Sequence, residues 1–454
     1  MSLSRIGKKP IPIPKGVEVT QRSLTSNVRG IIRNGLRVVS GDRGTSWLPL
    51  YHDMGLVGFC VTPMMVQISI DYLATADFAR RALLWPELIS RNRGTISFSP
   101  TFGYDLCIRR ARGRPMENYD LAHWKVAGIG GDMVRAATLD QFHETFASCG
   151  FRREAFVPSY GLAESTLAVS FAPLDRGVEV DRIDTEAWQS RGVAIPARAA
   201  KGNGANGNGN GANGHGNGNG NGASGNGADE PDAEDSATRD FVVFGPALPE
   251  HEIEIRDTAD NILPERGIGR VIIRGPSIMA GYYGNEEETA RVLSADGWLD
   301  TGDMGYLIDG RLVISGRSKD LIICNGRNIW PQDIEWAVER LPDVRSGSVA
   351  AFSVPGVESE KVVLAVECRM TEEDERRLLK KEIHSTVKLA AGVDGEVVLV
   401  PGKTLPYTSS GKLSRATVRA RFLAGDYDAH LADHAAPAPA GLAEIPAVAA
   451  AGGA

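Results

Sequence analysis

Gly316-Arg-Ser-Lys-Asp320 marks the point at which the hydrophobic pattern of the chain changes. On its C-terminal side short elements follow closely: a strand near Leu321, a helix over 331–340, strands over 348–354 and 361–367, a helix ending near Leu389 and a strand over 396–400. Thr371, with Asp374 three residues on, is expected to cap the second helix. This alternation predicts a small α+β domain over 317–427. On the N-terminal side, short apolar runs at 95–98 and 124–129 alternate with helical patterns such as 136–147, which predicts an α/β layered domain over 21–200. Strand-like runs at 251–255, 270–274 and 311–314 lie between Gly- and Asp-containing turns and are expected to complete the same large domain over 240–316.

Three segments fall outside this pattern. Residues 201–239 are Asn-Gly repeats followed by an acidic patch, with too little apolar surface to offset the entropy of ordering, and read as a disordered linker. The Ala/Pro tail at 428–454 is expected to be disordered for the same reason, and residues 1–20 form an atypical basic segment. The 454 residues carry a net charge of -7 from 50 basic and 57 acidic side chains, so no broad positive field is available to a nucleic-acid backbone. Cys60, Cys107, Cys149, Cys324 and Cys368 are odd in number and form no CxxC pair, which fits a reducing cytoplasm and argues against structural zinc. The basic start lacks the apolar core of a secretory signal. The most apolar stretch, 57–70, is interrupted by Thr62, Pro63 and Gln67 and is shorter than the roughly 20 residues of a membrane span; it is expected to be buried core.

Three short motifs carry chemistry. In Trp298-Leu-Asp-Thr-Gly-Asp303 a carboxylate sits on a turn at a sheet edge, where Asp303 could accept both hydroxyls of a ribose; a plain Asp-Gly turn explains the same residues. In Leu405-Pro-Tyr-Thr-Ser-Ser-Gly-Lys412-Leu-Ser-Arg415 one lysine stands in a Gly/Ser/Thr loop, either as a solvated charge or facing a phosphate together with backbone amides. Tyr160-Gly-Leu-Ala-Glu164-Ser-Thr166 offers an aromatic ring, a tight turn, a carboxylate and hydroxyls, suited to a base and a magnesium ion, or equally to a strand end and a helix start.

Taken in order, His52-Asp-Met-Gly55, Gly128-Ile-Gly-Gly-Asp132, Tyr160-Gly-Leu-Ala-Glu164, Thr301-Gly-Asp303, Gly316-Arg-Ser-Lys-Asp320 and Ser410-Gly-Lys412 resemble the AMP-forming acyl-activating (adenylate-forming) superfamily. Trp47-Leu-Pro-Leu-Tyr-His-Asp-Met-Gly-Leu56, Pro158-Ser-Tyr-Gly-Leu-Ala-Glu164 and Lys319-Asp-Leu-Ile-Ile-Cys-Asn-Gly-Arg-Asn328 look like its fatty acyl-AMP ligases, with residues 175–196 where that branch carries an insertion. The resemblance implies a partial large adenylate-forming domain followed by a small mobile C-terminal domain. It implies that a fatty acid reacts with ATP, in the presence of Mg2+, to acyl-AMP and pyrophosphate, and that the acyl group passes to the phosphopantetheine thiol of an acyl-carrier protein or carrier domain acting in trans. By motif position Lys412 would be the catalytic lysine, Tyr160 would stack the adenine, Asp303 would hold the ribose, and Arg317 would reach the ribose and phosphates. Gly161 and Asp132 would belong to the nucleotide site, Glu164 would bind magnesium, and Lys319 would be the hinge. His52 would stand between nucleotide and acyl pockets. Phe98, Phe102 and Tyr104, at alternating positions, could line the acyl pocket.

The chain also departs from that family. Where the family has a Ser/Thr/Gly-rich phosphate loop, this sequence has Ser4-Arg-Ile-Gly-Lys-Lys-Pro-Ile-Pro-Ile-Pro-Lys15-Gly16, whose prolines remove amide donors. Residues 4–20 resemble instead the start of a bacterial large-subunit ribosomal protein, and the family's upstream part is not present in the sequence. The alternatives to a fatty acyl-AMP ligase are therefore an acyl-CoA ligase and a non-catalytic fragment.

Overall fold

The computed structural model describes residues 16–116, 118–197, 238–324, 327–356, 360–408 and 413–431. Two compact units divide the chain, Met1–Lys319 and Asp320–Ala454. Both mix helices and sheets, in keeping with the α/β and α+β patterns of the sequence.

The first unit holds two six-stranded sheets. One is built from β1 (Arg43–Ser46), β2 (Ser69–Tyr72), β3 (Ile96–Ser99), β4 (Val126–Ile129), β5 (Phe156–Gly161) and β6 (Ala168–Phe171), in the order β2-β1-β3-β4-β5-β6. All pairs are parallel except β5 with β6. Every residue of β3 and β4 is buried, as expected of parallel strands joined by crossover helices that cover the sheet. Two of those helices are α1 (Thr101–Ala111) and α2 (Ala136–Phe146). The second sheet contains β7 (Glu179–Asp184), β8 (Thr238–Val243), β9 (Glu252–Arg256), β10 (Gly269–Arg274), β11 (Leu299–Ile308) and β12 (Arg311–Arg317), in the order β9-β10-β11-β12-β8-β7. All its pairings are antiparallel.

In the second unit β13 (Ile322–Cys324) pairs with β14 (Arg327–Ile329), and β15 (Val349–Pro355), β16 (Glu360–Cys368) and β17 (Gly395–Pro401) form a sheet in that order. β16 and β17 are parallel, so their connection must cross over, and the 19-residue α4 (Glu373–Ala391) makes the crossing after α3 (Pro331–Val338). Leu379, Ile383, Val387 and Ala391 are buried at four-residue intervals along α4. Successive residues of β16 face opposite sides: Leu364 joins Ile334 and Ile383 in one core, and Val363 joins Phe352, Val418 and Tyr427 in another.

Three expectations are corrected. Thr371 does not cap α4: the N-cap is Glu372, without a side-chain hydrogen bond, and Glu373, Asp374 and Glu375 in the first turn supply the favourable charge instead. The apolar stretch 57–70 is not wholly core, because Met64 is 73% and Met65 48% exposed on the short helix that follows an irregular π-type helix, Met54–Val61. Phe98, Phe102 and Tyr104 do not alternate along one strand. Pro100, with φ -61° and ψ 160°, begins α1, so Phe98 lies on β3 and the other two on a helix. No helix among the described residues is long and apolar enough to cross a membrane.

Candidate nucleotide and acyl site

The end of β5 brings together two distant motifs within the first unit. The Tyr160 ring is buried, and its hydroxyl donates to Asp303 Oδ2 at 2.7 Å. Asp303 stands opposite Arg317 in the β11–β12 ladder, and Arg317 Nε lies 3.2 Å from Asp303 Oδ1. Burial, and then the negative charge of Asp303, hold the Tyr160 phenol well above the ordinary tyrosine range, so it stays a neutral donor. Each Asp303 oxygen thus receives one donor from Tyr160 or Arg317.

The turn after β5 presents Glu164. A Cβ on Gly161 would lie 1.9 Å from the Leu167 carbonyl oxygen, which makes glycine obligatory where the chain doubles back into β6. Met279 N donates to the Glu164 carbonyl at 2.8 Å, and Tyr282 hydroxyl donates to Glu164 Oε1 at 2.8 Å. Burial, followed by the Glu164 carboxylate, raises the Tyr282 phenol far above its usual range. Tyr282 was not foreseen in the sequence; its partner is 118 positions away. Among the described residues no group of three or more His, Cys, Asp or Glu could hold a metal by itself. Magnesium binds through one or two carboxylates together with substrate phosphates rather than in a protein cage, and Glu164 is partly exposed.

The remaining candidates are placed as follows. Asp132 Oδ1 accepts from Thr101 N at 3.3 Å, at the start of α1. His52 Nδ1 lies 2.7 Å from Asp53 Oδ1, and Asp53 in turn caps the Met54–Val61 helix by accepting from Met54 N. Phe98 is buried edge-on to Phe59 and Phe171, Phe102 is half-buried against Trp47, and Tyr104 is fully enclosed. The Tyr104 ring packs among Trp85, Phe142 and Phe156 and its hydroxyl donates to the Gly128 carbonyl at 3.0 Å, so it belongs to the aromatic core of this unit. Lys319 is exposed at the last position of the first unit. Lys412 and its neighbours Ser410 and Gly411 lie outside the described residues, as do Lys8, Lys9 and Lys15. The flanks of the lysine loop are anchored in the second unit: Tyr407 bridges to Leu413, and Ser414 N donates to the Pro406 carbonyl at 3.0 Å. Arg415 forms a bidentate pair with buried Glu335 at 2.7 Å and a further bond to Asp320 Oδ2 at 3.1 Å.

Residues 13–201 match the family model of the AMP-binding enzymes. A Caulobacter vibrioides protein named "Putative acyl-CoA synthetase" is 47% identical over 415 residues, 91% of this chain and 67% of that protein. A medium-chain-fatty-acid–[acyl-carrier-protein] ligase of Moorena producens, JamA, is 31% identical over 91% of this chain and 66% of its own length. A structure from work on fatty acyl-adenylate ligases of E. coli and L. pneumophila superimposes with a TM-score of 0.79 and 41% identity, covering 94% of this chain and 69% of that one. The chain therefore spans about two thirds of the length of the relatives it matches. Joined to a tyrosine and an arginine converging on one buried aspartate, these similarities make the chain a member of the AMP-binding enzyme family, on the acyl-adenylate-forming ligase fold.

Proposed function

We propose that this protein activates a fatty acid with ATP to acyl-AMP, releasing pyrophosphate, and delivers the acyl group to the phosphopantetheine thiol of an acyl-carrier protein. The observation that carries the nucleotide half is the Tyr160–Asp303–Arg317 cluster. Asp303 would accept the ribose hydroxyls, Arg317 brings positive charge beside it, and the Tyr160 ring would supply an aromatic face for adenine. Glu164 would hold magnesium, which when bound offsets the charge of the ATP phosphates. Lys412 would approach the acyl carboxylate and α-phosphate and stabilise the charge that builds as the carboxylate displaces pyrophosphate. Rotation about Lys319 would then withdraw Lys412 and admit the thiol. The similarity to a fatty-acid–carrier-protein ligase supports the carrier as acceptor, and the similarity to a protein named for CoA chemistry favours CoA as the second candidate.

The test is ATP–pyrophosphate exchange with fatty acids of several chain lengths, followed by separate thioester assays with an acyl-carrier protein and with CoA. Fatty-acid-dependent exchange that Lys412→Ala abolishes, and thioester on the carrier alone, are the expected results. Thioester only with CoA would replace the carrier. Absence of exchange in this chain, with exchange in a version extended to the length of its relatives, would assign the chain a non-catalytic role.

A further inference from the structure

Directly behind Glu164 the backbone is strained. Thr166 has φ 66° and ψ -55°, and Leu167 N donates across it to the Ser165 carbonyl at 2.7 Å. That is a γ-turn of the positive-φ kind, costly for any β-branched residue, and it persists only where neighbouring groups over-determine it. Here the neighbours come from one remote segment. Thr166 Oγ1 donates to the Ser277 carbonyl at 2.8 Å, Ser165 Oγ lies 3.0 Å from Ser277 Oγ, and Ser277 Oγ lies 2.6 Å from His251 Nε2. Ser165 and Ser277 are fully buried and Thr166 is nearly so.

The other imidazole nitrogen fixes the direction of this chain. His251 Nδ1 lies 2.9 Å from the Pro249 carbonyl, which can only accept, so Nδ1 carries the proton; burial lowers the imidazole's pKa and favours the neutral ring, in which Nε2 is the acceptor. Ser277 hydroxyl must then donate to His251, and Ser165 hydroxyl to Ser277. With that single arrangement every polar atom of the chain is satisfied. The imidazole is itself held in place. Leu248–His251 is a turn with Pro249 second and Glu250 at φ 64° third, closed by His251 N on the Leu248 carbonyl at 3.0 Å. A Cβ on Gly275 would come within 2.3 Å of the ring, so only glycine leaves the imidazole room to lie there.

We propose that His251, acting through Ser277, is a positioning residue that locks the strained Thr166 turn and thereby aims the Glu164 carboxylate. The role for Glu164 as a magnesium carboxylate rests on the function proposed above; the locking of the turn does not. Among the described residues no hydrogen bond joins His251 to Tyr160, Glu164, Asp303 or Arg317, and its removal deletes the terminal acceptor of a buried hydroxyl chain.

The experiment compares the full chain with His251→Ala, His251→Gln and Ser277→Ala. A glutamine Oε1 can accept from Ser277 where Nε2 does, whereas alanine cannot. Amide hydrogen exchange at Leu167 and Met279 is expected to quicken about tenfold in His251→Ala and Ser277→Ala, the value of one lost hydrogen bond, and to return to within about threefold of the parent in His251→Gln. Strand amides such as Ile272 serve as the reference, so a general loss of stability is told apart from loosening of the turn. The magnesium concentration needed for half-maximal ATP binding is expected to rise by a similar factor in His251→Ala and to recover in His251→Gln. Nitrogen-15 shifts should show the Nδ1–H tautomer of His251. Unchanged exchange at Leu167, equal behaviour of the alanine and glutamine variants, or an Nε2–H tautomer would overturn the proposal. Faster exchange with an unmoved magnesium titration would overturn the aiming of Glu164, and if Glu164→Gln also leaves that titration unmoved, the fault lies in the magnesium assignment.

Discussion

Tyr160→Phe removes one oxygen and tests the nucleotide cluster directly. The phenol donates at 2.7 Å to Asp303, whose side chain is only 11% exposed and whose other named ion-pair partner, Arg317 Nε, is longer at 3.2 Å. A hydrogen bond to a charged group contributes about 1.5–3 kcal/mol, and the acceptor left behind is too enclosed for water to replace the donor fully. The first unit should therefore lose about 1.5–3 kcal/mol, a factor of roughly 10–150 in its opening equilibrium. Because the chain has two units, a single melting temperature would mix them. Native-state hydrogen exchange at the β11 and β12 amides isolates the first unit. A double-mutant cycle with Asp303→Asn should return a coupling energy of the same size. The phenyl ring keeps its aromatic face, so AMP binding should suffer less in Tyr160→Phe than in Asp303→Ala. A loss below about 0.5 kcal/mol, which is the range of ordinary surface substitutions, or a coupling near zero, would refute the claim that this contact organises the site.

Three further outcomes follow from other residues. Arg415→Met leaves Glu335, 4% exposed, without its bidentate partner, and should cost the second unit about 3–5 kcal/mol in denaturant unfolding, while Lys412→Ala should leave that stability unchanged. Tyr104 and Tyr160 have phenols raised above the unfolded value by burial, so their contribution to stability is complete below about pH 10 and is lost as pH climbs towards the raised values. Tyrosinate absorbance for these two should appear only with alkaline unfolding, and Tyr160→Phe should reduce the alkaline loss. Glu164→Gln should increase the magnesium needed for ATP binding while preserving the fold, since Gln can still accept from the Tyr282 hydroxyl; circular dichroism and a magnesium titration check both parts.

Much of the second unit could be read from periodicity, because its elements are short, amphipathic and bounded by turn residues. Leu379, Ile383 and Val387 announce a helix whatever surrounds it, and the short apolar, valine-containing runs at 349–355 and 360–368 announce strands. The aromatic run at 98–104 misled, since period two and period 3.6 cannot be separated over four positions; Pro100 decided for a helix start. The cap at Thr371 misled because three acidic residues already stabilise that terminus, and a capping hydroxyl was not needed.

The sequence by itself determined which chemistry-bearing residues exist and in what order: a tyrosine and a glutamate four apart, an aspartate after Thr-Gly, an arginine and lysine at the change of pattern, and a lysine in a Gly/Ser loop. Only the tertiary structure decided which of them meet. Tyr160 and Asp303 are 143 positions apart and become partners because the end of β5 meets the middle of β11. Tyr282 and Glu164, like His251 and Ser165, are joined by chain reversals that leave no periodic trace. Local pattern records the burial of each element's own face, whereas a hydrogen bond between distant loops depends on two backbones arriving together, which no short window of sequence encodes.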